Sequence, residues 1–209
     1  MKRKPTFFEK IDFLIFGHFI NYFYPDYYRP KYGYIKYYKL FFHYLIPQKL
    51  FRLNPKANWP VHFTSKVISP EKILKGIICD PGDNPGIYIQ ANNGIILGSN
   101  VGFGAGTKII SSIHSHNNHS KHDKAPSIII GNNVFVGANS VILPSVKIGD
   151  NVVIGAGSIV VKDISSNSIA IGNPCRVIKM KEDYNEDFSV INFNKNIPER
   201  YTEFLNSNS

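Results

Sequence analysis

IGNNVFVGANSVILPSVKIGDNVVIGAGSIVVKDI, residues 130–164, repeats on a six-residue beat: Ile130, Val136, Ile142, Ile148, Ile154 and Val160 fall at equal intervals. The second place of the hexads holds Gly131, Gly137, Gly149 and Gly155, interrupted by Leu143 and Val161. The fifth place holds Val134, Ser140, Val146, Val152, Ser158 and Ile164, all small or β-branched. A period of six matches neither the helical 3.6 nor the 2 of a long strand, and it fits short strands each followed by a tight turn. Three hexads close one triangular turn, so residues eighteen apart are expected to stack: Ile130 under Ile148, Val136 under Ile154, Gly137 under Gly155 and Ser140 under Ser158. The aliphatic first place fills the prism, the fifth packs beside it, and glycine lets the backbone bend where a Cβ would clash. A structural β-solenoid without activity would show the same regularity.

Upstream, Leu97, Phe103 and Ile109 keep the beat, but Ile109 to Ile130 is twenty-one residues, read as one coil plus three. The excess requires a loop to leave the coil within residues 111–127, SSIHSHNNHSKHDKAPS. It carries His114, His116, His119 and His122, four of the seven histidines, with almost nothing apolar to bury. Repeat folds tend to place function on such insertions.

Three stretches, GIYIQANNGIILGSNVGFGAGTKIISSIH (86–114), VFVGANSVILPSVKIGDNVVIGAGSIVVKDI (134–164) and SIAIGNPCRVIK (168–179), make residues 71–179 resemble the hexapeptide-repeat acyltransferases. That family has a left-handed parallel β-helix and contains galactoside, maltose and serine acetyltransferases and O-acetyltransferases of bacterial surface polysaccharides. NWPVHFTSKV (58–67) looks like the lead-in of the polysaccharide-acetylating branch.

The resemblance implies direct acetyl transfer from acetyl-CoA to a hydroxyl or amine, at sites between subunits of a homotrimer. Such chemistry needs a base near neutral pKa to take the acceptor's proton as it attacks the thioester carbonyl, and histidine suits it. The family's catalytic histidine closes the strand entering the loop, which maps onto His114. The family often has Asn immediately before it, whereas Ile113 stands here, so another group must orient the ring. The family's CoA path maps onto Phe135, Ala138, Ala156, Lys162, Pro174, Arg176 and Lys179. Phe135 replaces a frequent Trp, and the three cations suit CoA phosphates, although each alone reads equally as a solvated surface charge. For the acceptor, Asn92 or Asn93 lies about one coil before His114, with His116 in the loop; Asn also suits a solenoid turn. Asp80 and Asp83, in CDPGDNPG, either line the same mouth or orient His114, or simply form turns, as that Pro/Gly-rich run favours.

The H-x-H-x2-H-x2-H spacing suggests zinc, since trimeric β-helical carbonic anhydrases bind it through histidines. The loop lacks Cys or carboxylate partners at ligand spacing and any source of rigidity, so no metal is expected.

Residues 1–60 hold nineteen of the twenty-eight aromatics and eleven of the twenty-four Lys and Arg against three acids, which gives them +8 of the +9 net charge. FFEKIDFLIFGHFINYFY (7–24) and YGYIKYYKLFFHYLI (32–46) have helical length, with breaks expected at Pro25, Pro30 and Pro47. Their longest weakly polar run, about a dozen residues, falls short of the ~20 needed to span a bilayer, and no cleavable signal is evident. Such helices either cap the open solenoid end, which is otherwise an unpaired edge, or lie as a peripheral layer on an anionic membrane. No nucleic-acid motif accompanies the basic charge. Two cysteines, Cys79 and Cys175, fit a reduced cytoplasmic protein without disulfides, and Cys175 reads as a small filler near the CoA path.

The expected organisation is a mainly β chain: a basic, aromatic helical region at 1–57, a left-handed parallel β-helix at 58–180 with its loop at 111–127, and a C-terminal tail at 181–209. The expected activity is O-acetylation of a sugar of a surface polysaccharide or its precursor, with His114 as general base. An amine acceptor on a nucleotide-linked sugar, a metal-dependent hydratase and a silent scaffold are the alternatives.

Overall fold

In the computed structural model, residues 4–32, 35–115, 117–184, 193 and 195–196 are described. Three parallel sheets, built from strands of two to four residues, form the faces of a prism. The first contains Lys66–Ile68, Tyr88–Gln90, Lys108–Ile110, Val141–Ile142 and Ile159–Val160; the second, Ile73–Lys75, Ile95–Leu97, Ile128–Ile130 and Lys147–Ile148; the third, Val101–Phe103, Val134–Val136, Val152–Ile154 and Ser168–Ile171. The chain visits them in that order, coil after coil, and Arg176–Met180 adds an antiparallel strand to the last member of the third.

The hexad spacing sets the register. Ile130 pairs with Ile148, Val136 with Ile154 and Ile142 with Val160, each eighteen residues on. These side chains, with Val134, Val152, Ser140 and Ser158, are buried in one continuous core. Below them, Leu97 pairs with Ile130, Phe103 with Val136 and Ile109 with Ile142, all thirty-three residues apart. Thirty-three is one eighteen-residue coil plus fifteen, so the twenty-one residues from Ile109 to Ile130 contain no extra coil, contrary to the reading of one coil plus three. They contain a fifteen-residue insertion between neighbouring faces. A second correction concerns Ile164, expected in a fifth place: it bridges to Ile148 and so occupies the inward first place. Ile154 likewise pairs with Ala170, so the last coil is sixteen residues long. It closes two residues early because Val160 and Ile164 are joined by one short corner, Val161–Lys162–Asp163, where Asp163 Oδ1 accepts from the Lys147 N–H (2.8 Å).

Ahead of the coils, Phe7–Asp12, Phe13–Gly17 and His18–Phe23 run on as one helix, α1, and Tyr37–Leu40 with Phe41–Leu50 form a second, α2. Thr6 and Glu9 make a reciprocal cap at the start of α1. Asp12 Oδ2 and Oδ1 accept from the N–H groups of Tyr37 (2.6 Å) and Tyr38 (2.8 Å), tying α1 to the start of α2. Pro47 does not end α2 as expected. Phe41–Leu50 is wound wide, with Phe51 N bonding to Ile46 O, and a wide turn holds the proline ring off the carbonyl it would strike in an α-turn. Ile20, Tyr24, Tyr27, Tyr37, Leu40 and Leu45 form a separate small core between the helices.

Two buried polar clusters join this region to the coils. Gln48, fully buried, donates to the carbonyls of Asn54, Ala57 and Trp59 and accepts from Tyr24 Oη and Val61 N. Arg29 Nε bonds Asp80 Oδ2 at 2.6 Å, Lys75 Nζ reaches Asp80 Oδ1 at 3.3 Å, and Ile78 N donates to Tyr28 O. Trp59 and Val61 plug the end of the prism beneath. Of the tail, Lys195 Nζ donates to the carbonyls of Tyr24 and Pro25, and the expected loose Asn-Ser end lies outside the described residues.

Stacking this close makes particular glycines obligatory. A Cβ on Gly137 would meet the backbone N and Cα of Ala156 in the next coil, which cannot move without breaking the ladder. A Cβ on Gly157 would meet nothing, but the residue has φ +70°. Gly157→Ala should therefore lose ~1–2 kcal/mol for the left-handed backbone and Gly137→Ala more, ~3 kcal/mol or above for overpacking against backbone. Urea unfolding of both variants checks the order; equal losses would contradict it.

Candidate active site

The insertion leaves the first sheet after Ile110 and rejoins the second at Ile128, so it projects from the corner between them. His114–Ser115 and Asn118–His122 pair antiparallel within it, His114 opposite His122. Its base is pinned to the preceding coil. Gln90 Oε1 accepts from Ser112 N (2.9 Å) and Oγ (3.3 Å). Asn93 Nδ2 donates to Ser111 O (3.0 Å) on the outgoing limb and to Asp123 O (3.1 Å) on the returning one. Ser127 Oγ closes the loop onto Asn93 O (2.9 Å).

His114 is solvent-exposed, and its Nδ1 lies 2.6 Å from the carbonyl oxygen of His119. A carbonyl only accepts, so this contact requires the proton on Nδ1; in the neutral ring Nε2 then carries the basic lone pair. The orienting group that Ile113 cannot supply is thus a backbone carbonyl across the hairpin. The tip is stiffened further by Asn118 Oδ1, which accepts from Ser120 N (3.0 Å) and Oγ (2.7 Å). His116 lies outside the described residues, and among those described no three His, Cys, Asp or Glu side chains group as metal ligands.

Asn92 and Asn93 stand at the same corner as His114. Asn92 Oδ1 accepts from Ser69 Oγ (3.0 Å) and its carbonyl from Lys72 Nζ (2.8 Å). Asn93, expected at the acceptor, uses its amide as the brace described above. Asp83 lies elsewhere, beside the end of the third sheet. Its carboxylate is 3.4 Å from Arg29 Nη2, it accepts at its own carbonyl from Tyr44 Oη (2.9 Å), and Asn84 beside it donates to Phe103 O. Asp80 is consumed in the buried pairs with Arg29 and Lys75. Neither acid therefore orients His114 within one chain.

Most residues mapped to the donor lie on the third sheet and the corner after it, whereas Lys162 stands on the corner from the first sheet to the second, the one from which the His114 insertion leaves an earlier coil. Phe135 points outward from the third sheet, half exposed, with its ring over Gly102. It lines a groove of about 370 Å³ with Asn100, Asn133, Val153, Lys181 and Tyr184, and Asp83 at its rim. Ala138 and Ala156 stack at the turn from the third sheet to the first, where Gly157 N donates to Ala138 O (2.8 Å). Lys162, Pro174, Arg176 and Lys179 are all exposed toward the last coil. Arg176 Nη1 bonds Cys175 O. Cys175 itself is buried, its N–H bonded to Ile159 O, and burial pushes its thiol up, the reverse of what a nucleophile needs. The whole first sheet separates the His114 corner from the Ala138 and Ala156 corner. Lys181, Tyr184 and the Asn93 brace were not foreseen as parts of these sites; nothing local in the sequence marks the first two.

Residues 127–162 match the family model for the bacterial transferase hexapeptide (six repeats). The bifunctional protein GlmU of Streptococcus uberis is 42% identical over 84 residues, 40% of this chain but only 17% of that protein. The chain thus spans less than a fifth of this curated relative. Among solved structures, a galactoside acetyltransferase in complex with coenzyme A is 33% identical over 60% of this chain and 68% of its own, with a TM-score of 0.48. A maltose O-acetyltransferase from Clostridium difficile 630 is also 33% identical, over 57% and 67%, with a TM-score of 0.40.

Burial raises Asp83 from its ordinary 3.8 to about 7, against the opposing pull of Arg29. The folded state holds this proton up to near 7 while the unfolded chain releases it near 3.8, so between those values folding binds the extra proton and stability falls as pH rises. Asp83→Asn removes the proton site. Its stability relative to the parent should rise from pH 4 to pH 7 and level off above, measured by urea unfolding across pH; a difference independent of pH would contradict the raised value.

Proposed function

Residues 127–162 carry the bacterial transferase hexapeptide, and on that premise we propose that the chain transfers the acetyl group of acetyl-CoA to a hydroxyl of a sugar, within a bacterial surface polysaccharide or its precursor. The observation that carries this reading is His114 held by its Nδ1 on a carbonyl, leaving Nε2 as the base, on a hairpin braced to the coil. His114 Nε2 takes the proton of the acceptor hydroxyl while its oxygen attacks the thioester carbonyl carbon. The tetrahedral intermediate, its oxyanion met by a backbone N–H of the facing coil, expels the CoA sulfur. The imidazolium then returns the proton to the thiolate, so the products are the acetyl ester and CoA.

The coil has the left-handed sense that the resemblance implies, and the active assembly is a homotrimer. Support for the trimer comes from topology: the base and the donor groove sit on different corners of one prism, so a second copy must bring its Phe135, Ala138 and Ala156 beside His114. Lys162, Arg176 and Lys179 hold the CoA phosphates, and Pro174 shapes the end of the groove. Asn92 and His116 contact the acceptor, and the site works in the cytoplasm, where acetyl-CoA is made.

Free-thiol release and product mass, with a panel of glycans and nucleotide sugars, test the reading and separate hydroxyl from amine acceptors. His114→Ala should lower acceptor-dependent turnover ~10²–10⁴-fold with acetyl-CoA binding intact; undiminished turnover refutes the assignment. Asn93→Ala lets the hairpin drift and should lower kcat by up to ~10²-fold. A raised acceptor KM at unchanged kcat would make Asn93 an acceptor contact instead of a brace.

A further inference from the structure

The helical region turns its apolar side outward. On α1 exposed apolar positions recur at helical spacing, Phe8 (79% exposed), Ile11, Leu14 (67%), Ile15, Phe19 (50%) and Tyr22 (79%), with Phe7, Phe23, Lys10 and His18 exposed beside them. The inner side, Gly17 and Ile20 with Phe13 and Phe16 beside them, already packs on α2. A helix meant to sit in water shows the opposite arrangement, and a continuous apolar stripe about 25 Å long on a surface ordinarily marks a docking face.

Its surroundings are cationic. Lys10, Lys36 and Lys39 are exposed around the stripe. The two acids nearby are engaged locally: Glu9 closes the cap with Thr6, and Asp12 receives the N–H groups of Tyr37 and Tyr38. Between the start of α1 and that of α2 opens a cleft of about 570 Å³, walled by Phe8, Ile11, Ile15 and Phe16, with Glu9, Asp12 and Lys36 also lining it. Among the described residues no helix is long and apolar enough to cross a membrane.

We infer that this face docks on the surface of an anionic lipid bilayer, with α1 lying flat at the headgroup level, the lysines on lipid phosphates and the cleft receiving part of an acyl chain. Apolar burial and charge then act together, the two-signal arrangement that holds a peripheral helix at an interface. Charge decides between this occupant and a second copy of the chain. Two copies meeting here would bring together two regions that each carry +8 over residues 1–60, more than Glu9 and Asp12 at the cleft offset, whereas anionic headgroups complement that charge. The inference is independent of the acyl-transfer reading.

The test is sedimentation of the full chain with vesicles of equal parts phosphatidylglycerol and phosphatidylcholine, and with phosphatidylcholine alone. Binding to the mixed vesicles should be at least ~10-fold the stronger and should weaken in 1 M salt. Phe8→Ser/Leu14→Ser/Phe19→Ser should lose it by ~10-fold or more with unchanged mass by light scattering. An environment-sensitive fluorophore on Leu14→Cys, selective because Cys79 and Cys175 are buried, should shift to the blue on mixed vesicles even where the triple variant fails to fold. Absence of sedimentation and of the spectral shift overturns the inference. So does a fall in mass of the folded triple variant, which would assign the face to a second copy.

Discussion

The strands of each coil bond to the strands of the coil above or below, so the register between coils is the constraint on which the rest of the molecule depends. The pairing of Leu97, Ile130, Ile148 and Ile164 runs through coils of different lengths without a slip. A one-residue slip would turn a whole strand's interior side chains to solvent. Irregularity is therefore forced to the corners. The fifteen-residue insertion and the two-residue shortening both begin and end there, and the inward column does not register either. The short Asp150 contact to the Asn132 N–H and the Asn151–Asn167 bond fasten the corners from outside.

The same constraint explains what the sequence discloses. First-place aliphatics and second-place glycines repeat because the prism repeats, so the stacking of Ile130 on Ile148 and of Val136 on Ile154 is readable from spacing alone. Spacing fails where the chain stops repeating. Ile164 looks like a fifth-place residue until the bridge to Ile148 shows a shortened corner, and the interval from Ile109 to Ile130 is compatible with a coil plus three or a hexad plus fifteen. Only the hydrogen-bond partners distinguish them. His114 was legible from the family pattern, yet its orienting partner was not, because the partner is a main-chain carbonyl that any residue at position 119 would supply. Asp83 was misplaced for a related reason: its partner, Arg29, lies fifty-four positions away and no local pattern announces it.

The N-terminal region couples to the coils through groups that tolerate little change. Arg29, Lys75 and Asp80 are almost wholly buried, so each charge depends on the others, and removing one partner of such a set typically costs ~3–5 kcal/mol. Gln48 does similar work without charge, satisfying three carbonyls at the end of the prism. These contacts fix where the helices stand on the solenoid, and the burial that comes with them lifts Asp83, against the pull of Arg29, into a range where ordinary changes of pH alter its charge beside the Phe135 groove.

Because the hairpin enters and leaves at one corner, with Ile110 and Ile128 held in their sheets by neighbouring coils, the prism is indifferent to how many residues lie between them. The loop behaves as a cassette. Its length and side chains can diverge while the inward column of the coils stays as it is. The limits on that freedom are few: a carbonyl opposite His114, and an amide at position 93 to hold both limbs.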